Sequence, residues 1–238
     1  MSLTAVYQQE LKRTRQAVAN QVRLHWNNLP DYRDDKVEPF VNAVVPIVEA
    51  GQRRAISMTD AYVSHMLGVK PLGLDLSQLT GSAVRNGVSP FEVYARPFTS
   101  VWTSIATIGF SAAVLKGMNR LTSTAEMDVA LSARDASRAY AGQSDRIMGW
   151  TRVADPMCCD FCQMIDGAKV GSEDASPLHN NCSCTLEPIE VGSDVNPDDF
   201  VSFAPGSIFD DVEIQEHGEL GPVITNKHDN FTGPNDLQ

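Results

Sequence analysis

All five cysteines of the chain lie within one short stretch that also contains a histidine. Cys159 and Cys162 form a Cys-x-x-Cys pair. After sixteen intervening residues comes a His-x-x-Cys-x-Cys group made of His179, Cys182 and Cys184. Two close groups of sulfur and nitrogen donors, separated by a loop, are typical of a tetrahedral zinc site. The spacing therefore predicts a metal knuckle, in which both groups bind one ion.

The knuckle holds more donors than a tetrahedral zinc needs. We expect Cys159, Cys162 and His179 to bind first, with either Cys182 or Cys184 as the fourth ligand. These last two residues are two positions apart, so an extended backbone directs both to one face and alternation leaves the choice open. Cys158 remains as a spare thiol. Because no general base stands beside an open coordination position, we expect a structural rather than a catalytic zinc.

Two other interpretations of the cysteines remain open, namely a disulfide or plain buried thiols. An odd number of cysteines disfavours a complete disulfide framework. The N-terminus also lacks the charged, apolar and small-residue order of a signal peptide, which would indicate an oxidising compartment. Metal binding is therefore the favoured interpretation.

Three further segments accompany the knuckle motif. They are residues 150–153, which contain Arg152, residues 217–222 and residues 231–234. Together with the cysteine motif they resemble the minor capsid, or head morphogenesis, proteins of tailed bacteriophages related to the Mu F protein, especially those of phages that infect actinobacteria. The specific motifs of this resemblance all lie after Gly149.

The resemblance implies a helical N-terminal region followed by a small domain that carries both cysteine groups. It also implies a non-enzymatic virion component, made in the host cytoplasm and placed inside the head near the portal vertex. The implied role is to support head assembly, genome packaging or genome delivery. The implied partners are the portal protein and/or the major capsid protein, with several copies per virion and packaged DNA as a further contact of the helical part.

Charge is distributed unevenly along the chain. The net charge is −11, and residues 187–238 contain twelve acidic side chains against one basic side chain, Lys227. Such a tail repels a phosphate backbone, so it is not expected to bind nucleic acid. Residues 97–115 carry no charge at all, but Pro97, Gly109 and several hydroxyl side chains favour a buried helix and a turn over a membrane span.

The overall pattern predicts a mainly α fold in three parts. Residues 1–145 are expected to form a helical bundle, and residues 146–190 a small α+β metal-knuckle domain. Residues 191–238 are expected to form an extended acidic arm, because they are rich in proline and glycine and carry few helical signals. Short strands are expected at residues 150–153 and 184–189, and in the arm at residues 212–214 and 223–225. We expect part of the arm to pack on a neighbouring molecule.

Hydrophobic periodicity locates the helices. Residues 3–28 and 35–67 show apolar positions at helical spacing, and Pro46 is expected to kink or divide the second helix. Ser89 and Ser123 each begin a capping-box pattern, so helices are expected to start after both. The buried positions of these helices are predicted to be Tyr7, Leu11, Val18, Val22, Phe40, Val44, Ile47, Val48, Phe98, Val101, Trp102, Ile105 and Ile108. The basic residues of the first helix, which we expect on a solvated face or against DNA, are Lys12, Arg13, Arg15 and Arg23.

Two other functions fit parts of the sequence. An HNH-like metal-dependent nuclease also combines Cys-x-x-Cys pairs with histidines, but such an enzyme needs a histidine base and further ligands for a phosphate-bound metal. No acidic residue directly precedes His179, so this signature is incomplete. A zinc-knuckle DNA-binding protein would place basic and aromatic residues around the cysteines, where this chain has acidic ones such as Asp155 and Asp160.

Overall fold

The fold was analysed in a computed structural model, which describes residues 2–156, 158, 160–172, 182–202, 208–209 and 212–226. It is mainly α, with a helical bundle, a small sheet region next to a group of cysteines, and a C-terminal hairpin. The helices are α1 (Leu3–Asn27), α2 (Val37–Met66), α3 (Pro90–Ile108), α4 (Phe110–Gln143) and α5 (Asp160–Met164). The strands are β1 (Ile147–Val153), β2 (Lys169–Gly171), β3 (Thr185–Glu190), β4 (Ile208–Phe209), β5 (Val212–His217) and β6 (Gly221–Asn226).

The four long helices form the bundle because each buries one apolar stripe. The stripe of α1 contains Tyr7, Leu11, Val18 and Val22, all buried as predicted. On α2, Phe40, Val44 and Val48 are buried, whereas Ile47 is only partly covered. The loop between α2 and α3 contains two short 3-10 helices, Leu76–Gln78 and Gly81–Arg85. Asp60 of α2 anchors this loop by accepting hydrogen bonds from the backbone N–H groups of Leu72 and Gly73, at 2.9 and 2.8 Å.

The two capping-box predictions had different outcomes. Ser89 caps α3 as predicted, because its hydroxyl accepts a hydrogen bond from the Phe91 N–H at 3.2 Å. The prediction of a helix start at Ser123 is wrong, since α4 runs unbroken from Phe110 to Gln143. Next to Ser123, the Thr124 hydroxyl donates to the Arg120 carbonyl of the preceding turn at 2.8 Å. The Thr124 hydroxyl therefore has a hydrogen-bond partner inside the helix.

Pro46 does not divide α2, which continues through it for 30 residues. A proline removes one backbone N–H, so the carbonyl of Asn42 loses its helical partner. Asn42 and Pro46 are both exposed, so water can satisfy that carbonyl. The expectation that Pro46 would divide the helix is therefore wrong, while the alternative of a kink stays a prediction.

The predicted core face of α3 is correct for only part of its length. Phe98 and Val101 are buried, but Trp102, Ile105 and Ile108 are exposed. The reason is that α3 ends at Gly109, where φ is +81°, and α4 turns back at once. The last turns of α3 and the first turns of α4 therefore leave several large apolar side chains exposed.

Two small antiparallel sheets follow the bundle. In the first sheet β1 is the central strand between β2 and β3, and both predicted strands of this region are present. Its buried Trp150, Val170 and Leu186 belong to the same apolar core as the bundle. In the second sheet β5 is the central strand between β4 and β6, and the two predicted arm strands correspond to β5 and β6. Ile214 and Leu220 of this sheet are buried against the chain's own body.

Candidate metal centre

Three cysteine sulfurs meet beside the first sheet. Cys162 lies on the short helix α5, and Cys182 and Cys184 precede strand β3. Their Sγ atoms all lie within 4.8 Å of one another. Zinc thiolate bonds of about 2.3 Å in a tetrahedron place sulfurs roughly 3.8 Å apart, so this group, the cysteine cluster, fits three of the four corners of a zinc site.

The structure brings both members of the Cys-x-Cys pair to the cluster. Their spacing of two residues directs both side chains to one face, as the alternation argument requires. Cys158 is partly buried at the edge of the cluster but lies outside this group of three. Cys159 and His179 lie outside the described residues, so their assignment as ligands stays a prediction. The four described cysteines are free thiols.

Arg152 of β1 places a positive charge against the cluster. Its side chain is only 1% exposed, and its Nη2 lies 3.6 Å from the sulfurs of both Cys162 and Cys182. Burial acts to lower the pKa of Arg152, but the nearby cysteine sulfurs raise it above its ordinary value. The guanidinium therefore stays charged and can offset negative charge on the thiolates.

The pKa values of Cys162 and Cys184 lie above the ordinary thiol value, although Arg152 acts to lower both. Hydrogen bonds with Cys182 and Cys184, and then burial, raise the pKa of Cys162. At Cys184 the hydrogen bond with Cys162 acts to lower the pKa, but Cys182 and burial outweigh it and raise the pKa to about 12. A divalent cation bound at the centre would displace the thiol protons, because the metal ligand is the thiolate.

Helix α1 supports the cluster from the other side. Arg15 is buried, and its Nη1 donates to the carbonyl of Cys182 and, at 3.4 Å, to the Ser183 hydroxyl. Nearby, Gln8 Nε2 donates to the Val153 carbonyl at 2.9 Å, and Lys12 pairs with Asp155 at 3.4 Å. A row of α1 side chains thus fixes the backbone on both sides of the cysteine cluster.

These contacts correct the interpretation of the basic residues of α1 as a solvated face. Arg13 and Arg23 are exposed, but Arg15 is buried and Lys12 is only partly exposed. A signal for Arg15 was present in the sequence, because it continues the buried stripe at the position between Leu11 and Val18. Arg152 had a similar signal, since it shares a strand face with the buried Trp150.

Fold and site together define a helical-bundle protein that carries a cysteine cluster on a small sheet. None of the helices in the described part of the chain combines the length and apolar character needed to cross a membrane. Residues 100–203 match the family model of the VG15 protein, a family of viral proteins. The matched segment contains the second half of α3, all of α4 and the cysteine cluster. Neither a curated protein nor a solved structure matches the chain.

Proposed function

We propose that the protein is a structural minor capsid protein of a tailed phage, which binds inside the head near the portal and supports head assembly, genome packaging or delivery. The match to a viral family supports its assignment to a phage. The motifs of the cysteine region support the relation to Mu F-like minor capsid proteins. In this proposal the protein is a binding component rather than an enzyme.

The observation that carries the proposal is an exposed apolar surface where α3 meets α4. We call this surface the apolar tip, and its side chains are between 41 and 56% exposed. It consists of Trp102, Ile105, Ile108, Phe110 and Leu115. Gly109 turns the chain between the two helices, and the surrounding residues 97–115 are uncharged. All five residues of the apolar tip fall within the segment that matches the viral family.

Exposed apolar patches of this kind mark sites of protein interaction. The apolar tip contains a tryptophan and a phenylalanine, and aromatic side chains often dominate binding energy at protein interfaces. An uncharged apolar surface fits an apolar groove on a protein partner, whereas DNA would require basic groups. We therefore propose that the apolar tip binds the portal protein.

The test is incorporation of tip variants into phage heads. In a phage that carries this gene, Ile108→Asp and Phe110→Asp should each reduce the copies per purified head at least about tenfold, because each places a charge in the binding surface. Copy number is measured by quantitative mass spectrometry against the major capsid protein. Leu24→Asp, which alters an equally exposed apolar residue of α1, is the matched control and should be incorporated normally.

Two results would contradict different parts of the proposal. If the unmodified protein is missing from purified heads, the virion function is wrong. If it is present and the tip variants enter heads as well as the Leu24→Asp control, the docking surface is wrong while the virion function stands. Thermal unfolding of the purified variants shows whether the exposed substitutions have left the fold intact.

We further propose that the cysteine cluster binds a structural zinc ion. Cys162, Cys182 and Cys184 supply three soft donors, and one further place is left for Cys159 or His179. Bound zinc would hold α5 and the segment before β3 together. A unit this small has little apolar core of its own, so metal binding would contribute directly to its folding free energy.

A further inference from the structure

The hairpin of β5 and β6 lies over the cysteine cluster. We propose that this hairpin, here called the cap, is a releasable cover that controls access to the cysteine sulfurs, and that Glu219 at its turn is the latch. The inference deepens the proposed metal centre, because a bound ion is what the cap would retain. It rests on contacts of the cap with the body, which exist whether or not the cluster binds zinc.

The apolar side of the cap is buried in the same cluster as two of the cysteines. Leu220, which is 1% exposed, and Val223 belong to the same buried cluster as Cys162 and Cys182. The remaining members of that cluster come from α4 and the loop before α3: Val84, Met127, Ala130 and Leu131. Cys162 and Cys182 are 0 and 3% exposed with the cap in place. Removing the cap would uncover the side of the cluster that Leu220 and Val223 now contact.

The latch is a carboxylate held by two arginines. Glu219 accepts hydrogen bonds from Arg96 Nη1 at 2.8 Å and Arg96 Nη2 at 2.6 Å, one to each oxygen. Arg85 Nη1 lies 3.3 Å from the same carboxylate. Such two-oxygen pairing with arginine is among the stronger hydrogen-bonding arrangements in proteins. These contacts also lower the pKa of Glu219, with the Arg96 hydrogen bond as the largest cause, so the latch stays charged.

The body holds the latch site in position independently of the cap. Arg85 is buried and donates to Asp128 through Nε at 2.6 Å, and Tyr94 donates to the other oxygen of Asp128 at 2.7 Å. Asp128 lies on α4, Tyr94 on α3 and Arg85 in the preceding 3-10 helix. Three elements of the body therefore preorganise the site that receives Glu219.

The rest of the turn is also bound by side chains of the body. Arg134 of α4 donates to the carbonyl of Leu220 at 2.8 Å, and Asn86 donates to the carbonyl of Gly218 at 2.8 Å. Within the described residues the two sheets remain separate, so no strand ladder joins the cap to β1, β2 or β3. The cap can therefore detach together with β4, by breaking these contacts and withdrawing Ile214 from the core, while the pairing within its own sheet stays intact.

Reactivity of the buried thiols measures this opening directly. Where opening and closing are fast, the alkylation rate of a buried cysteine follows the population of the open form. Loss of a hydrogen-bonded charged pair changes such a population by about tenfold to a hundredfold. In the metal-free full-length protein, Glu219→Ala and Arg96→Ala should each raise the iodoacetamide rate at Cys162 and Cys182 by about that factor.

Two comparisons separate the latch from general destabilisation. The double variant Glu219→Ala/Arg96→Ala should react about as fast as Glu219→Ala alone, since removing the carboxylate already breaks its pairing with Arg96. Glu216→Ala removes an exposed charge from the same hairpin and should react like the parent protein. Glu219→Gln keeps the size of the side chain and should give an intermediate rate. Peptide mass spectrometry reports each cysteine separately.

The same variants loaded with zinc provide the second readout. Release of zinc to an excess of chelator should accelerate in Glu219→Ala and Arg96→Ala but not in Glu216→Ala. If the latch variants are alkylated faster than the parent protein but the parent binds no zinc, the proposal of a cap is supported and the proposed metal centre is wrong. If zinc binds and all variants match the parent in both alkylation and release, the cap is overturned and the metal centre stands.

Discussion

At the scale of single residues, Arg152 determines the charge balance of the cysteine cluster. A zinc ion with three thiolates and a neutral or thiolate fourth ligand carries net negative charge, and this site is buried. Burying an uncompensated charge is costly, so a nearby opposite charge is needed. The Arg152 guanidinium, 3.6 Å from two of the sulfurs, provides that charge.

We predict that Arg152→Met lowers the affinity for zinc about tenfold to a hundredfold, which is the usual effect of losing a group that supports metal ligands from outside the coordination shell. Arg152→Lys should have a smaller effect, because an ammonium keeps the charge but lacks the planar guanidinium geometry that places Nη2 between two sulfurs. Competition with a chromophoric chelator gives the affinities.

Arg146→Met is the matched control for this prediction. Arg146 lies just before β1 and bonds to Glu190 at the sheet edge, with 41% of its side chain exposed. The prediction fails if Arg152→Met leaves the zinc affinity unchanged, or if Arg146→Met lowers it by the same factor. Either result would show that the cluster does not need the buried guanidinium.

Spacing alone predicted that Cys162 would meet Cys182 or Cys184, because these two share a face and their motif is a common metal-binding pattern. It did not predict that both would join Cys162. The groups that surround the cluster could not be predicted from the sequence. The helical spacing of Arg15 indicated burial, but Arg15 and Glu219 both lie far from the cysteines along the chain, so the sequence connects neither of them to the cluster. Only the packing of α1 and of the cap places Arg15 and Glu219 where they act.

At the scale of elements, local sequence signals predicted the presence of helices better than they predicted the residues at which helices begin and end. Ser89 begins α3 because Pro90 follows it and the preceding chain is a loop. The similar pattern at Ser123 lies within α4, where the upstream residues are also helical, so it has no free N-terminus to cap. The exposed apolar tip could not be predicted either, since periodicity shows which face is apolar but not whether another element covers it.

Gly51 shows how closely these helices approach one another. A methyl group added to Gly51 of α2 would lie 2.4 Å from Val18 Cγ2 of α1 and 3.1 Å from Val129 Cγ2 of α4. Valine is stiff at χ1, so it cannot easily turn away. The absence of a side chain at Gly51 therefore sets the spacing of three helices.

We predict that Gly51→Ala destabilises the protein by about 1 to 2 kcal/mol, because the cost of overpacking exceeds the gain in helix propensity. Combining it with Val18→Ala should cost less than the sum of the two single changes, since Val18→Ala removes the clashing methyl. Denaturant unfolding measures these free energies. Gly142→Ala, in a helical position with open space around it, is the control and should be neutral or stabilising.

At the scale of the whole molecule, the cysteine region and the bundle share one apolar core, and α1 bonds directly to both sides of the cluster. Thr4 at the start of α1 also donates to Glu187 of β3 at 3.1 Å. Loss of the metal should therefore destabilise the first half of α1 as well as residues 146–190. Helix α4 meets the cluster through Met127, Ala130 and Leu131, and the contacts of α2, α3 and α4 with one another should persist.

We predict that chelation of zinc, or Cys162→Ser, increases amide hydrogen exchange in β1, β3 and residues 4–15 of α1 while α2 and α4 keep their protection. Cys158→Ser, at a cysteine outside the group of three sulfurs, should bind one equivalent of zinc and exchange like the parent. Elemental analysis supplies the zinc content for each protein. Equal exchange in the chelated and loaded forms would mean that zinc does not stabilise this region. Exchange that rises throughout α2 and α4 would instead show that the bundle itself depends on the metal, because the shared core transmits its loss.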